Sequence, residues 1–273
     1  MKKIDIKLNA AMTSCLRSWS FVQESFAENF KQLEDSGDLV KDGPYPVIWD
    51  TKQKFVLKVP TASGMNIVYK SYNKLRKAYK YMFRLSPCGT EALNYQIIKE
   101  LGIDVPELLA VGDVRKNLVL KTAFIVTEFA EGFRDGRDFM PGGILAHDAA
   151  LRNEFICRNM QLLARLHNSK ILHRGFTPAN LLYKLNDVPE NQAGKLLLKW
   201  IDVASCRKVS RYTLKKKLPA EMVQFFRFFD FKDDKIAEYV NCYTQALDNP
   251  LYTPEKLCRL IGESLQKRLT RKA

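Results

Sequence analysis

Residues Leu172–Lys184 read LHRGFTPANLLYK. His-Arg, five residues, then Asn180 and an apolar pair is the layout of a phosphotransferase catalytic loop. In that layout the third position holds an Asp that accepts the proton of the substrate hydroxyl. Here the third position is Gly175. The stretch predicts a kinase-type loop with a degenerate base position.

Phosphoryl transfer also needs a cation on the nucleotide phosphates, a partner for that cation, and oxygen ligands for Mg²⁺. Lys70 lies in the strand-like run NIVYKSY, and Glu91 follows 21 residues later in a helical run. Asp202 ends the apolar run of LKWIDVAS, 22 residues after Asn180. Asn and Asp there offer hard oxygen donors. Taken singly, Lys70 and Glu91 read as an ordinary strand lysine and a solvated helix residue. Asp202 reads as a turn cap, Asn180 as a residue bonded within its own loop, and His173 as a structural histidine. The joint order strand Lys, helix Glu, loop, helix, HRxxxxxN, hairpin, apolar strand ending in Asp argues against coincidence.

Outward from these residues, 14–35 place Leu16, Trp19, Val22, Phe26, Phe30 and Leu33 at three- and four-residue steps. That spacing predicts an amphipathic helix closed by Ser-Gly-Asp at 36–38. YPVIWD, KFVLKV and NIVYKSY between 45 and 72 read as strands. Residues 87–101 read as a helix with Leu93, Ile97, Ile98 and Leu101 on one face and Gly102 at its end. ELLAVGDV and TAFIVTEF add two strands. The Gly-, Asp- and Arg-rich loop AEGFRDGRDFMPGG marks a boundary between lobes. Helices are expected over about 149–168, about 219–247 and 254–269, with Pro254 in a first turn. The expected division is an N-terminal helical segment over 1–40, a strand-rich lobe over 41–130 and a helical lobe over 131–273. Strands first and helices second predict an α+β architecture.

The 273 residues are 46% hydrophobic and 11% aromatic, which excludes global disorder. No apolar run reaches the ~18–20 residues that span a bilayer, and MKKIDIKLNAAM lacks the apolar core of a signal peptide. A soluble, cytosolic protein is expected. The six Cys have no CxxC pair, and none lies at ligand spacing from His147, His167 or His173. The expectation is reduced thiols and no structural zinc. The net charge of +14 points to an anionic partner, against the bland alternative of a solvated basic surface.

With its catalytic loop, GTEALNYQIIKELGIDVPELLAVGD and TAFIVTEF, the chain resembles the lipopolysaccharide core kinases (Kdo/WaaP family) from about Tyr45 to about Gln245. The resemblance implies a bilobal protein-kinase-like fold that uses ATP and Mg²⁺ to phosphorylate a heptose or Kdo hydroxyl of the lipopolysaccharide core. It further implies a Lys70–Glu91 ion pair, an architectural His173, adenine binding by the Glu128, Phe129 and Ala130 backbone, and metal binding by Asn180 and Asp202. Several features depart from that family. Gly175 replaces the base, Val-Ala follows Asp202, Gly64 alone marks the nucleotide-covering turn, and no Ala-Pro-Glu segment appears. The rival reading is a pseudokinase that binds nucleotide or scaffolds the same pathway. SYNKLRKAYKYMFR, Lys215–Lys217 and the tail QKRLTRK are basic. Such segments suit RNA, anionic headgroups or a phosphorylated glycolipid. The resemblance favours a peripheral position on the cytoplasmic face of the inner membrane over nucleic acid.

Overall fold

The β-branched and aromatic runs of the first half pair into a sheet, and the apolar periodicity of the second half becomes helices. A computed structural model of the chain describes residues 16–73, 78–116, 118–186, 196–231 and 233–270. The elements in order are β1 (Leu16–Val22), α1 (Ala27–Ser36), β2 (Val47–Asp50), β3 (Lys54–Pro60), β4 (Asn66–Asn73), α2 (Pro87–Glu100), β5 (Leu108–Lys116) and β6 (Val119–Glu128). They continue with β7 (Arg134–Asp135), α3 (Ala149–Asn168), β8 (Ile171–Leu172), β9 (Leu181–Leu185), β10 (Leu196–Trp200), β11 (Arg207–Lys208), α4 (Arg211–Phe226), α5 (Asp233–Gln245) and α6 (Pro254–Thr270). One compact unit runs to Gln96 and resumes over Pro106–Glu131. The other takes Ile97–Val105 and the chain from Gly132 onward.

The first unit is built on a six-stranded antiparallel sheet of order β1-β5-β6-β4-β3-β2. Side chains of β3 and β4 alternate between its faces, as the two-residue period of a strand requires. Leu57, Val59, Ile67 and Tyr69 pack with Phe26, Phe30 and Leu33 on one face. Phe30 stacks on Phe124 at 5.5 Å between ring centres.

Two expectations need correction here. Leu16–Val22 is not helical: it is the edge strand β1, paired from Leu16↔Lys116 to Val22↔Ala110. A three- and four-residue spacing over seven residues cannot register the free edge of β5, and the long-range ladder overrides it. Only Ala27–Ser36 is helix, ended by Gly37 in the left-handed region at φ 70°. The second correction concerns α2. Its buried face carries Cys88, Glu91, Ala92, Tyr95 and Ile98, whereas Leu93 is 43% exposed. The expected apolar stripe follows Leu93 because the true stripe contains a charged residue, Glu91.

The second unit holds α3 to α6, the three-stranded sheet β10-β9-β7 and the two-stranded β11-β8. Asp148 caps α3 and Ser210 caps α4 through their side chains. The single helix expected over 219–247 is two, because the chain leaves α4 at Phe226 and re-enters helix at Asp233. Pro219 lies inside α4 and cannot bond the carbonyl of Lys215 one turn back. Tyr252 Oη–H donates to that carbonyl instead, at 3.0 Å. Proline thus marks the middle of this helix rather than its start.

The thiol expectation is also overturned. Cys157 on α3 and Cys242 on α5 form a disulfide with Cα atoms 5.4 Å apart. Their separation of 85 residues escapes any spacing rule. No helix among the described residues is long and apolar enough to cross a membrane.

Candidate active site

In the first unit, Lys70 sits on β4 with its side chain on the sheet face opposite to that of Ile67 and Tyr69. There its Nζ donates to both carboxylate oxygens of Glu91 on α2, at 3.0 and 2.8 Å. The side chains are 10% and 2% exposed, so the pair is buried and doubly bonded. A buried ammonium and carboxylate are tolerated only with such geometry. The register Lys70↔Ile125 ties the lysine strand to β6, which leads out at Glu128.

Glu128 N–H donates to Glu107 O at 2.9 Å, and Phe129 N–H donates to Asn66 O at 3.0 Å. The Ala130 N–H has no backbone partner among the described residues. Of the three amides expected to serve a base, Ala130 is therefore the one available as donor. Lys70 is on the third strand of the meander β2–β3–β4, whose first turn, Thr51–Gln53, contains no glycine. Gly64 (φ 81°) instead closes the next turn, where Thr61 N–H donates to Met65 O.

In the second unit, three hydrogen bonds fix the loop from His173 to Asn180. Gly175 N–H donates to His173 Nδ1 at 3.3 Å, Asn180 Nδ2–H donates to Gly175 O at 2.8 Å, and Ser205 Oγ–H donates to His173 O at 2.7 Å. His173 is fully buried, edge-on to Trp200 and Phe176 with ring centres 5.3 and 5.9 Å away. Burial holds its imidazole below its ordinary pKa, the Glu221 and Asp202 charges opposing. A neutral ring packed among aromatics is a structural member of the loop.

Asp202 is placed from two sides. Ile201 N–H donates to Asn180 O at 3.0 Å, and Trp200 Nε1–H donates to the buried Asn159 on α3 at 2.8 Å. The hairpin pairing of Leu181 with Trp200 brings Asn180 and Asp202 to the same end of β9 and β10. Asp202 itself is left-handed, φ 53° and ψ 50°. Arg174 is left-handed too, at φ 61°. Each such residue costs about 1–3 kcal/mol unless its surroundings impose it, and such outliers gather at functional sites. With its Nδ2 engaged by Gly175 O, Asn180 keeps Oδ1 as its acceptor atom, and Asp202 adds a carboxylate at the same end of the hairpin. Among the described residues no three His, Cys, Asp or Glu side chains cluster as a metal cage. The donor set fits a cation of the Mg²⁺ type, which takes one or two protein oxygens and completes its shell with phosphate and water.

The sequence pattern does not reveal what holds Arg174. Its N–H donates to Glu221 Oε1 at 2.5 Å, and His167 Nε2–H donates to Glu221 Oε2 at 2.9 Å. Tyr243 Oη lies 2.8 Å from His167 Nδ1. Burial lifts the Tyr243 hydroxyl well above its ordinary pKa, so it stays a donor. Burial also pushes the Glu221 carboxyl up, but the hydrogen bonds from His167 and Arg174 outweigh it, and the net shift is downward. A glutamate inside the apolar run LPAEMVQFF and a histidine in phase with Leu163 are the available signals. Gly136 allows a further close approach, since a Cβ there would lie 2.3 Å from Phe155 and 2.9 Å from Pro178 O.

A carboxyl depressed on folding contributes stability above its ordinary value of 4.5, and that stability drains away as the pH falls through the folded value. Glu221→Ala is expected to cost about 3 kcal/mol at neutral pH by urea unfolding, because it strips charge-assisted bonds from the buried His167 and from the part-buried Arg174 N–H. Glu221→Gln is expected to lose less at neutral pH and to flatten the acid limb below pH 4.5. An unchanged acid limb would remove Glu221 as the loop's electrostatic anchor.

The sequence profile of the lipopolysaccharide kinase (Kdo/WaaP) family matches residues 67–232. Among solved structures, the chain is similar to WaaP in complex with acyl carrier protein, with a TM-score of 0.66 at 16% identity. That match covers 91% of this chain and 98% of that one. It is also similar to the Rio2 kinase–ADP/Mg²⁺–phosphoaspartate complex from Chaetomium thermophilum, with a TM-score of 0.51 at 13% identity, covering 94% and 79%. These likenesses show a bilobal protein-kinase-like fold. No curated protein sequence matches the chain.

Proposed function

The chain belongs to the lipopolysaccharide kinase (Kdo/WaaP) family, and from that premise we propose an ATP- and Mg²⁺-dependent transfer of phosphate to a heptose or Kdo hydroxyl of the lipopolysaccharide core. The observation that carries this reading is the buried, doubly bonded Lys70–Glu91 pair. An ammonium buried on a strand at such cost is explained by a phosphate that it must meet. Glu91 fixes the orientation of Lys70 Nζ, and Lys70 aligns the phosphates. Ala130 N–H donates to the base, and the neighbouring hinge carbonyls accept from it. Asn180 Oδ1 and the Asp202 carboxylate would hold a Mg²⁺ ion, which would supply positive charge against the transferring group. His173 and Glu221 keep the loop in register. Gly175 supplies no proton acceptor, so the acceptor hydroxyl loses its proton to solvent or to a substrate phosphate, and transfer is slow. Positioning and electrostatics, which dominate this chemistry, remain in place.

Gly175 favours a second reading, a pseudokinase that binds nucleotide or scaffolds lipopolysaccharide biogenesis. Both readings place the protein at the cytoplasmic face of the inner membrane, peripheral and attracted by its positive charge. An acyl carrier protein, the partner in the WaaP structure, is a proposed partner here as well. Saturating ATP·Mg²⁺ is expected to raise the melting temperature by mass action, worth about 2.7 kcal/mol at a hundredfold excess over Kd. Lys70→Ala is expected to abolish that rise. No rise in the wild type would refute nucleotide binding. A rise without any change in core phosphorylation, compared by mass spectrometry with and without the gene, would select the pseudokinase.

A further inference from the structure

The loop between β4 and α2 presents Tyr79, Phe83 and Leu85 to solvent, and Phe83 is 86% exposed. Scattered exposed apolar residues are normal, but three within seven residues form a patch that needs an occupant. The patch is not slack chain. Arg115 Nη1–H donates to Tyr81 O at 2.5 Å and its Nη2–H to Arg84 O at 3.1 Å. The same guanidinium is clamped by the buried Asp113 through bonds of 2.9 and 3.1 Å. Phe83 therefore stands between two carbonyls fixed by a single anchored side chain, and its exposure is imposed.

The charge around it has one sign. Lys80 and Arg84 are exposed on either side of Phe83, and Lys116 and Lys121 are exposed on the adjoining ends of β5 and β6. No acidic residue occurs between Ser71 and Thr90. The carboxylates of Glu91 and Asp113 are taken up by Lys70 and Arg115. An aromatic projection among cations complements an anionic bilayer, where the ring enters the acyl boundary and the cations stay with the phosphates. A protein partner would instead need about 800 Å² of matched surface on each side. Three side chains on one anchored turn are the size of a lipid wedge.

We propose that Ala78–Leu85 is a membrane-insertion wedge for an anionic bilayer, with Phe83 as the inserted side chain and Lys80 and Arg84 at headgroup level. This rests on the reading that the protein works at a lipid surface, and it adds insertion to electrostatic attraction. The test uses the full chain with phosphatidylcholine vesicles, with and without phosphatidylglycerol. Wild type is expected to float only with the anionic vesicles. Phe83→Ser is expected to bind them about tenfold more weakly or worse, and Arg84→Gln roughly fivefold more weakly. Phe83→Trp is expected to gain fluorescence that brominated acyl chains quench, beyond any quenching of the native tryptophans. Full binding by Phe83→Ser, with no added quenching in the Phe83→Trp variant, would overturn the wedge and leave electrostatic attachment standing. Absence of wild-type binding would overturn both. Loss of acyl carrier protein binding in Phe83→Ser, with vesicle binding intact, would assign the loop to a protein partner and also overturn the wedge.

Discussion

Glu91→Ala is expected to destabilise the protein by about 3–5 kcal/mol, because it strips the carboxylate from an ammonium whose side chain is only 10% exposed. The loss should appear as a lower midpoint in urea unfolding with little change in slope. The informative partner is the double variant Lys70→Met/Glu91→Leu. Replacing both charges by apolar groups of similar volume removes the desolvation cost along with the attraction, and such swaps are commonly neutral or stabilising. The double variant is therefore expected to recover most of the lost stability while showing no ATP·Mg²⁺-dependent rise in melting temperature. A pair kept for folding alone would give the opposite pattern: the double variant would still respond to nucleotide. A small effect of Glu91→Ala, under about 1 kcal/mol, would mean that Lys70 reaches solvent when released, and the buried-charge argument would fall.

The same pair shows why part of this protein is legible in its sequence. Lys70 and Glu91 are identifiable by order alone, and their meeting needs only one strand face, one helix face and a short connection. The strands from Val47 to Glu128, the helix α3 and the helix α6 likewise follow from local periodicity and punctuation. What escapes depends on distant chain. The edge of β5 turns Leu16–Val22 into a strand. The hydroxyl of Tyr252 lets α4 run through Pro219. Cys157 meets Cys242 across 85 residues. Glu221 and His167 leave only a faint mark, a charge within an apolar run and a histidine in phase with Leu163, because by pattern alone a buried charge in an apolar helix resembles a polar residue on its exposed side. Leu93 misleads for the converse reason.

Gly175→Asp is expected to raise single-turnover phosphate transfer to isolated core lipopolysaccharide by ~10²-fold or more, the contribution of a positioned base. The backbone permits the change, because Gly175 is not among the residues with positive φ. Conformation therefore does not demand glycine here. The neighbours permit it less freely. A Cβ at Gly175 would lie 3.2 Å from Ser205 Oγ, with Asn180 Nδ2 and His173 Nδ1 at 3.6 Å. The hydroxyl would have to yield by a few tenths of an ångström, against its 2.7 Å bond to His173 O. Ser205 and Gly175 thus form a matched pair, and Gly175→Asp/Ser205→Ala is expected to outperform Gly175→Asp alone. Asp202→Ala in either background must abolish transfer before any activity is credited to this site. No gain in either variant would mean that a restored carboxylate finds no hydroxyl to deprotonate, and the scaffold reading would stand. Wild-type transfer already at ~1–100 s⁻¹, the ordinary range of kinases, would show that solvent or substrate phosphate suffices as base. Glycine at 175 would then be no handicap at all.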